Sequence, residues 1–340
     1  MNTQIRHLDA NMHGADVCPE QRLEGVFPIL CTPYSADGSL DYVTLACEAL
    51  FVANSDVQGL IWPCANDALN LLSPEEIEKG LEAVATALDG RGILFTVCCP
   101  GRNIADMQRR VAVAEAVAAR HPGLPAALLI RLANDAKGDA DYVRQFDALA
   151  AATSLPIIVQ AYNGQSPMSS AEMLVDLARR HPETFGWFKV EGTGPEIVPC
   201  KRALVAAMPV VKTVFTGWGG RDWLYDFRCI GTRGVISQRP MLADLMVAVW
   251  RALVACDPAA DGLFARFMHL RNLEETLPAP EMRGWNLYVL KRRGIFANTL
   301  SRVRQPGGGW TLADLALTDS DRAEIDARLD FVLSPLGEQP

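Results

Sequence analysis

The sequence predicts a closed (β/α)8 barrel that carries a helical C-terminal extension. Three observations lead there. From about residue 25, short β-rich apolar runs alternate with amphipathic stretches, the pattern of successive β-α units on a parallel sheet. Eight such runs can be counted, at residues 25–31, 57–62, 92–98, 126–131, 156–161, 186–190, 212–216 and 234–237. Between them, residues 40–52, 74–88, 104–120 and 171–180 place Ala and Leu at three- and four-residue spacing, as a helix packed on one face requires. Eight units with both sheet faces covered fit a closed barrel better than an open doubly wound sheet. The predicted organisation is an N-terminal extension over residues 1–23, the barrel over 24–255, and a helical extension over 256–340. Pro278, Pro280 and the loop Gly307-Gly308-Gly309 break that extension.

The helix starts carry their own chemistry. Ser73-Pro74-Glu75-Glu76 combines a capping serine, a proline in the first helical position and a glutamate reaching back to the cap. The stretch from Ser169 to Glu172 reads as a second box, with Ser169 as its cap.

Composition narrows the function classes. The 340 residues are 49% hydrophobic and 21% charged, enough to bury a large core. A net charge of -8 speaks against a broad basic surface, so neither nucleic acid nor an anionic membrane is an expected partner. No uninterrupted apolar run of membrane-spanning length occurs, and residues 1–24 lack the apolar core of a signal peptide, so the cytosol is the expected location. The nine cysteines are odd in number and lack CxxC spacing, which points to reduced thiols. The five histidines form no HxxxH or Cys/His cluster, and no metal is expected.

The chain has six lysines, at 79, 137, 189, 201, 212 and 291. Lys79 and Lys201 fall in helical patterns, Lys137 in a polar loop and Lys291 in a basic cluster, while Lys212 starts a strand. Lys189 alone sits near the C-terminal end of an apolar strand, between Phe188 and Val190. In a barrel that end faces the reaction, whereas strand starts face the stabilising bottom. Apolar walls desolvate an ammonium, favouring the free amine that attacks carbonyls. The competing reading is a structural lysine paired with Glu191 or another acid.

Phe188-Lys189-Val190-Glu191-Gly192 resembles the sixth-strand signature of the dihydrodipicolinate synthase and N-acetylneuraminate lyase superfamily. The resemblance runs over about residues 24 to 255. It takes in the stretch from Gly25 through Thr32-Pro33-Tyr34 to Asp37-Gly38, Leu71-Leu72-Ser73-Pro74-Glu75-Glu76, and Gly231-Thr232-Arg233-Gly234-Val235-Ile236-Ser237. It implies that Lys189 forms an imine with a 2-oxo acid, that Thr32 relays protons at the end of the first strand, and that no separate cofactor is needed. It also implies a homo-oligomer, a dimer or tetramer.

Three departures loosen the match to the synthase reaction. The carboxylate-binding loop after the second strand is here Cys64-Ala65-Asn66-Asp67-Ala68, leaving the backbone at Ala65 and the Asn66 amide as donors, with Asp67 available to a substrate hydroxyl. The tyrosine expected four residues after Pro156 is Gln160, and Tyr162 lies two residues on, on the same face of the strand, as the candidate proton carrier. Arg131-Leu132-Ala133-Asn134 replaces a Pro-Tyr-Tyr stretch, and the loop Asn163-Gly164-Gln165-Ser166-Pro167 lacks an arginine, so Arg131 becomes a candidate for a carboxylate. Val159-Gln160 and the Lys189 segment look closer to the 2-keto-3-deoxy sugar acid dehydratase branch.

The expected activity is therefore a Schiff-base lyase, a dehydratase or an aldolase, acting on a 2-oxo acid such as a 2-keto-3-deoxy sugar acid. Its expected catalytic residues are Lys189, Tyr162 and Thr32. Substrate contacts are expected from Ala65, Asn66, Asp67, Gln160, Glu191, Arg131, Gly217 and Ser237. Two alternatives stay open: a pyruvate or sugar-phosphate aldolase, with phosphate at Gly217-Trp218-Gly219-Gly220, and a member that binds a 2-oxo acid without turnover.

Overall fold

The computed structural model describes residues 23–334 except 66, 132–134, 164–167, 278–280 and 316. Most of the N-terminal extension, Asn66, parts of the fourth- and fifth-strand loops, and Pro278 and Pro280 lie outside the described residues.

Eight parallel strands alternate with helices: β1 Gly25–Pro28, α1 Tyr42–Ala53, β2 Gly59–Ile61, α2 Pro74–Leu88, β3 Leu94–Cys98, α3 Ile104–Arg120, β4 Ala126–Arg131, α4 Asp139–Ala150, β5 Ile157–Tyr162, α5 Ala171–Arg180, β6 Trp187–Glu191, α6 Ile197–Ala206, β7 Thr213–Thr216, the short α7 Trp223–Tyr225, β8 Gly234–Ser237 and α8 Ala243–Val254. From β2 to β8 each strand pairs with its neighbour in sequence, and β1 pairs with β8. An Ile29–Ile61 bridge and the Leu30 N–H on the Ile61 carbonyl, at 3.0 Å, close β1 onto β2. This is a (β/α)8 barrel.

Two apolar cores follow from strand alternation. Phe27, Ile61, Leu129, Ile158, Trp187, Phe215 and Ile236 point inward and fill the barrel. Residues one position away, such as Val26, Leu128, Val159 and Phe188, face the helix layer. A step of two residues along a strand keeps the inward face. Leu129 therefore leads to Arg131, Ile158 to Gln160 and Tyr162, and Trp187 to Lys189 and Glu191, so the apolar floor gives way to polar groups at the C-terminal mouth.

The Ser73 box forms as expected, with Ser73 accepting from the Glu76 N–H and Glu76 bonding back. The second cap is corrected. Ser170, in extended backbone, accepts from the Met173 N–H, and Ser169 is buried with no side-chain partner among the described residues. The helix starts one residue later than the motif implies because Ser170 is also anchored by the Asp139 carboxylate.

The C-terminal segment contains helices α9 Ala259–Arg271, α10 Glu281–Arg292 and α11 Asp319–Leu333. The helices agree with the expected helical extension; the segment also holds an antiparallel hairpin, β9 Leu300–Arg304 with β10 Trp310–Asp314, that the sequence reading did not include. Buried Arg302 of β9 fastens the hairpin to the barrel, donating to the Gly38 carbonyl at 2.7 Å and to Glu76, with its guanidinium 4.1 Å from the Trp310 ring. No helix among the described residues is long and apolar enough to cross a membrane.

Candidate active site

A cavity of about 340 Å³ opens at the C-terminal mouth of the barrel. Five of the residues singled out from the sequence line it: Arg131, Gln160, Tyr162, Lys189 and Glu191. Strand register brings them together. Gln160 of β5 lies opposite Lys189 of β6, Tyr162 lies opposite Glu191, and Arg131 of β4 lies opposite Gln160.

Lys189 is 2% exposed, and its Nζ donates to Glu191 Oε1 at 2.9 Å. The same oxygen accepts from the Gln160 amide, and Oε2 accepts from the Trp218 backbone N–H at 2.8 Å. Burial works to raise the Glu191 carboxyl, but the Lys189 charge and the N–H donors outweigh it and hold the group below the ordinary glutamate value. Glu191 is thus held as a carboxylate against the Lys189 nitrogen.

The turn after β7 is shaped around this carboxylate. A Cβ on Gly217 would meet the Glu191 Cβ at 2.3 Å, so a larger residue would exclude the glutamate. Trp218 follows with φ +52, a left-handed conformation that tryptophan rarely adopts. Its N–H bond to Glu191 and its stacking on Tyr162, at 6.2 Å between centroids, stabilise that turn. Gly217 thus lies behind Glu191 and is not among the residues lining the cavity.

The β1–β2 corner is organised differently. Thr32 donates to the Asp67 carboxylate and accepts from the Trp62 indole N–H at 3.2 Å. Burial lifts the Asp67 carboxyl above its ordinary value, against the opposing pull of the Thr32 bond and the Arg283 charge. Thr32, Ala65 and Asp67 do not line the cavity. Ser237 is also absent from the lining, its hydroxyl buried without a partner among the described residues, while Ile236 and Gln238 beside it do face the cavity.

Sequence reasoning missed Arg239 and Arg271. Arg239 lies two residues past the end of β8, and a charged residue just past a barrel strand was a usable signal. It is 1% exposed, with its guanidinium 5.0 Å from the Trp285 ring. Arg271 comes from α9, donating to the Trp218 carbonyl at 3.0 Å and to Glu275 at 2.5 Å. Nothing local marks a helix in the extension as a contributor to the mouth.

Among the described residues, no group of three or more His, Cys, Asp or Glu side chains is arranged to hold a metal ion. Of the cysteines, Cys31, Cys64, Cys98, Cys99 and Cys200 are buried, and Cys47, Cys229 and Cys256 are exposed.

Fold and cavity together define a (β/α)8 barrel with a buried lysine–glutamate pair at its C-terminal mouth. No family model matches the sequence. A 136-residue stretch is 31% identical to a 4-hydroxy-tetrahydrodipicolinate synthase of Haloarcula marismortui, and the match covers 40% of this chain and 42% of that relative's length. Solved structures agree over nearly the whole chain. The 4-hydroxy-tetrahydrodipicolinate synthase of Methylacidiphilum fumariolicum superposes with a TM-score of 0.74 at 18% identity, covering 92% of this chain and 96% of that one. YagE of E. coli K12, a prophage protein of the dihydrodipicolinic acid synthase family in complex with pyruvate, gives 0.71 at 17% identity, covering 91% and 98%. A monomeric dihydrodipicolinate synthase variant gives 0.74 at 16%, covering 91% and 96%. At these identities the structural likeness establishes the barrel.

Proposed function

We propose that the protein is a Schiff-base lyase of the dihydrodipicolinate synthase type, acting on a 2-oxo acid such as a 2-keto-3-deoxy sugar acid. The observation that carries this reading is Lys189, 2% exposed at the C-terminal end of an inner barrel strand and opening into a cavity of about 340 Å³. The amine adds to the C2 carbonyl, water leaves, and the resulting iminium draws electrons from C3. Deprotonation at C3 followed by loss of the C4 hydroxyl gives dehydration; deprotonation of that hydroxyl instead cleaves C3–C4. The imine supplies the electron sink, so neither route calls on a cofactor.

Arg131 has no hydrogen bond or ion pair among the described residues and lines the same cavity, which fits it to the substrate carboxylate. Arg239 and Arg271 add positive charge to the lining. The sugar-phosphate alternative is weaker, since the Trp218 N–H in the glycine-rich turn is committed to Glu191. Binding without turnover draws support from the β1–β2 corner, where Thr32 is committed to Asp67 and Trp62.

The test is to incubate the protein with pyruvate and longer 2-oxo acids, add borohydride, and weigh it. A stable adduct, together with turnover of 2-keto-3-deoxy sugar acids, is the expected result. An adduct without turnover of any of them favours the binding reading, and no adduct with any 2-oxo acid ends the imine mechanism.

A further inference from the structure

Resting on the imine reading above, we propose that Glu275, with Arg271 behind it, selects a substrate whose tail beyond C3 is hydroxylated and uncharged, so that the C-terminal extension sets the specificity of the barrel. Arg271 ends α9, and Glu275 ends the helical turn Asn272–Glu275 that continues it. Both line the cavity. Arg271 donates to Glu275 at 2.5 Å and to the Trp218 carbonyl at 3.0 Å, while the Trp218 N–H donates to Glu191 at 2.8 Å. One short turn after β7 thus holds the extension by its carbonyl and the partner of Lys189 by its N–H. Glu275 is joined to the buried pair through these hydrogen bonds.

The two members of the Arg271–Glu275 pair are not equally accessible. The Arg271 side chain is 2% exposed and the Glu275 side chain 51%. The bond from Arg271 holds the Glu275 carboxyl below the ordinary glutamate value, so the group is a carboxylate at neutral pH. Glu275 answers the Arg271 charge and leaves the acid as the member that an arriving tail meets. A carboxylate accepts hydrogen bonds from hydroxyl groups and opposes a second carboxylate or a phosphate. Tyr162 and Trp218, stacked with 6.2 Å between ring centroids, add aromatic surface to the same lining. An acceptor beside aromatic faces suits a chain that alternates C–H and O–H groups.

Length decides which substrates reach this rim. Once C2 is bonded to Lys189, C3 stands about 2.5 Å from the nitrogen by ordinary covalent geometry. Pyruvate ends there. Hydroxyls on C4 and beyond extend into the rest of the cavity, toward the exposed rim where Glu275 lies. Arg131, at the end of β4, remains for the C1 carboxylate.

The experiment uses the full chain with three probes: pyruvate, a 2-keto-3-deoxyhexonate, and the six-carbon 2-oxo diacid 2-oxoadipate. For each, the total borohydride-trapped adduct at Lys189 is followed against concentration. Wild type is expected to half-saturate with the hexonate at a concentration about tenfold or more below that for the diacid. Glu275→Ala is expected to raise the hexonate value about tenfold or more, the worth of a hydrogen bond to a charged group, and to leave pyruvate within about twofold. A purely structural role would shift pyruvate and the hexonate together. Should Glu275→Ala fail to fold, Glu275→Gln decides, since its amide oxygen still accepts from Arg271. It is expected to raise the hexonate value about fivefold, the difference between a charged and a neutral acceptor, and to narrow the gap to the diacid, with pyruvate again within about twofold. A hexonate value within about twofold of wild type in the folded variant overturns the proposal. So does an equal shift for pyruvate and the hexonate, or a wild type that prefers the diacid. No adduct with any of the three acids in wild type brings down the imine reading and this proposal with it, whereas adducts whose saturation is indifferent to Glu275 bring down this proposal alone.

Discussion

Two lysines of this protein are buried in ion pairs, and one of them, Lys189, lines the cavity at the barrel mouth. Lys201 on α6 pairs with Asp226 at 2.5 Å, with side chains 3% and 1% exposed. Lys189 on β6 pairs with Glu191 at 2.9 Å, with side chains 2% and 7% exposed. Burial and pairing are nearly the same. The difference lies in what surrounds them. Asp226 also accepts from the Thr216 hydroxyl at 2.8 Å, and its carbonyl accepts the Gly231 and Thr232 N–H groups, so the Lys201 pair ties the α6 helix to the turn before β8. Glu191 is held by donors on one side and faces the cavity with Lys189 on the other. A buried ion pair is a structural joint where the space around it is filled, and a reactive one where substrate-sized space adjoins it.

Substitutions can break this contrast. The largest effect is expected from Lys189→Ala, which should abolish borohydride-trapped adduct and turnover while circular dichroism shows a folded barrel. Lys201→Met should do the reverse. It leaves Asp226 buried without its cation, which costs about 3–5 kcal/mol of stability in denaturant unfolding, with adduct formation by the folded protein unchanged. If Lys201→Met instead removed the adduct at full stability, the contrast would collapse. Arg131→Met is smaller. Losing one charge-assisted bond to a carboxylate is worth about 1.5–3 kcal/mol, and should appear as weaker saturation by 2-oxo acids with Lys189 still reactive at high concentration.

The smallest effect is a dependence on pH. The folded-state value of Glu191 lies below its ordinary one. Its contribution to stability is therefore fully present above the ordinary glutamate value and is lost as pH falls through the lowered one. The melting-temperature advantage of wild type over Glu191→Gln should hold from neutral pH down to the ordinary carboxylate range and shrink only below it. A gap that widens on acidification would contradict the paired-carboxylate description.

The sequence made the barrel legible because its signal is repeated. Eight apolar runs, each bounded by helical spacing, constrain the topology even where single boundaries drift, as at β1, predicted over 25–31 and observed as Gly25–Pro28. Lys189 and Glu191 were legible for the same reason. Residues two apart on a strand share a face, so the apolar lead-in from Trp187 fixed their direction. The hairpin of Leu300–Arg304 and Trp310–Asp314 was not, because Leu-Ser-Arg-Val-Arg has no apolar alternation and Trp-Thr-Leu-Ala-Asp, exposed or half-buried throughout, is too short to register alone. The contact of Thr32 with Asp67 depends on how two loops meet, and Arg271 reaches the mouth from an extension far along the chain. Neither follows from local spacing.

The contrast between the two buried lysines is tested most directly by mapping the borohydride-trapped adduct. The full chain is incubated with pyruvate, reduced, digested and sequenced by mass spectrometry. Modification confined to Lys189, with Lys201 and the remaining lysines unmodified, is the predicted result; an adduct on Lys201, or none on Lys189, would contradict the assignment.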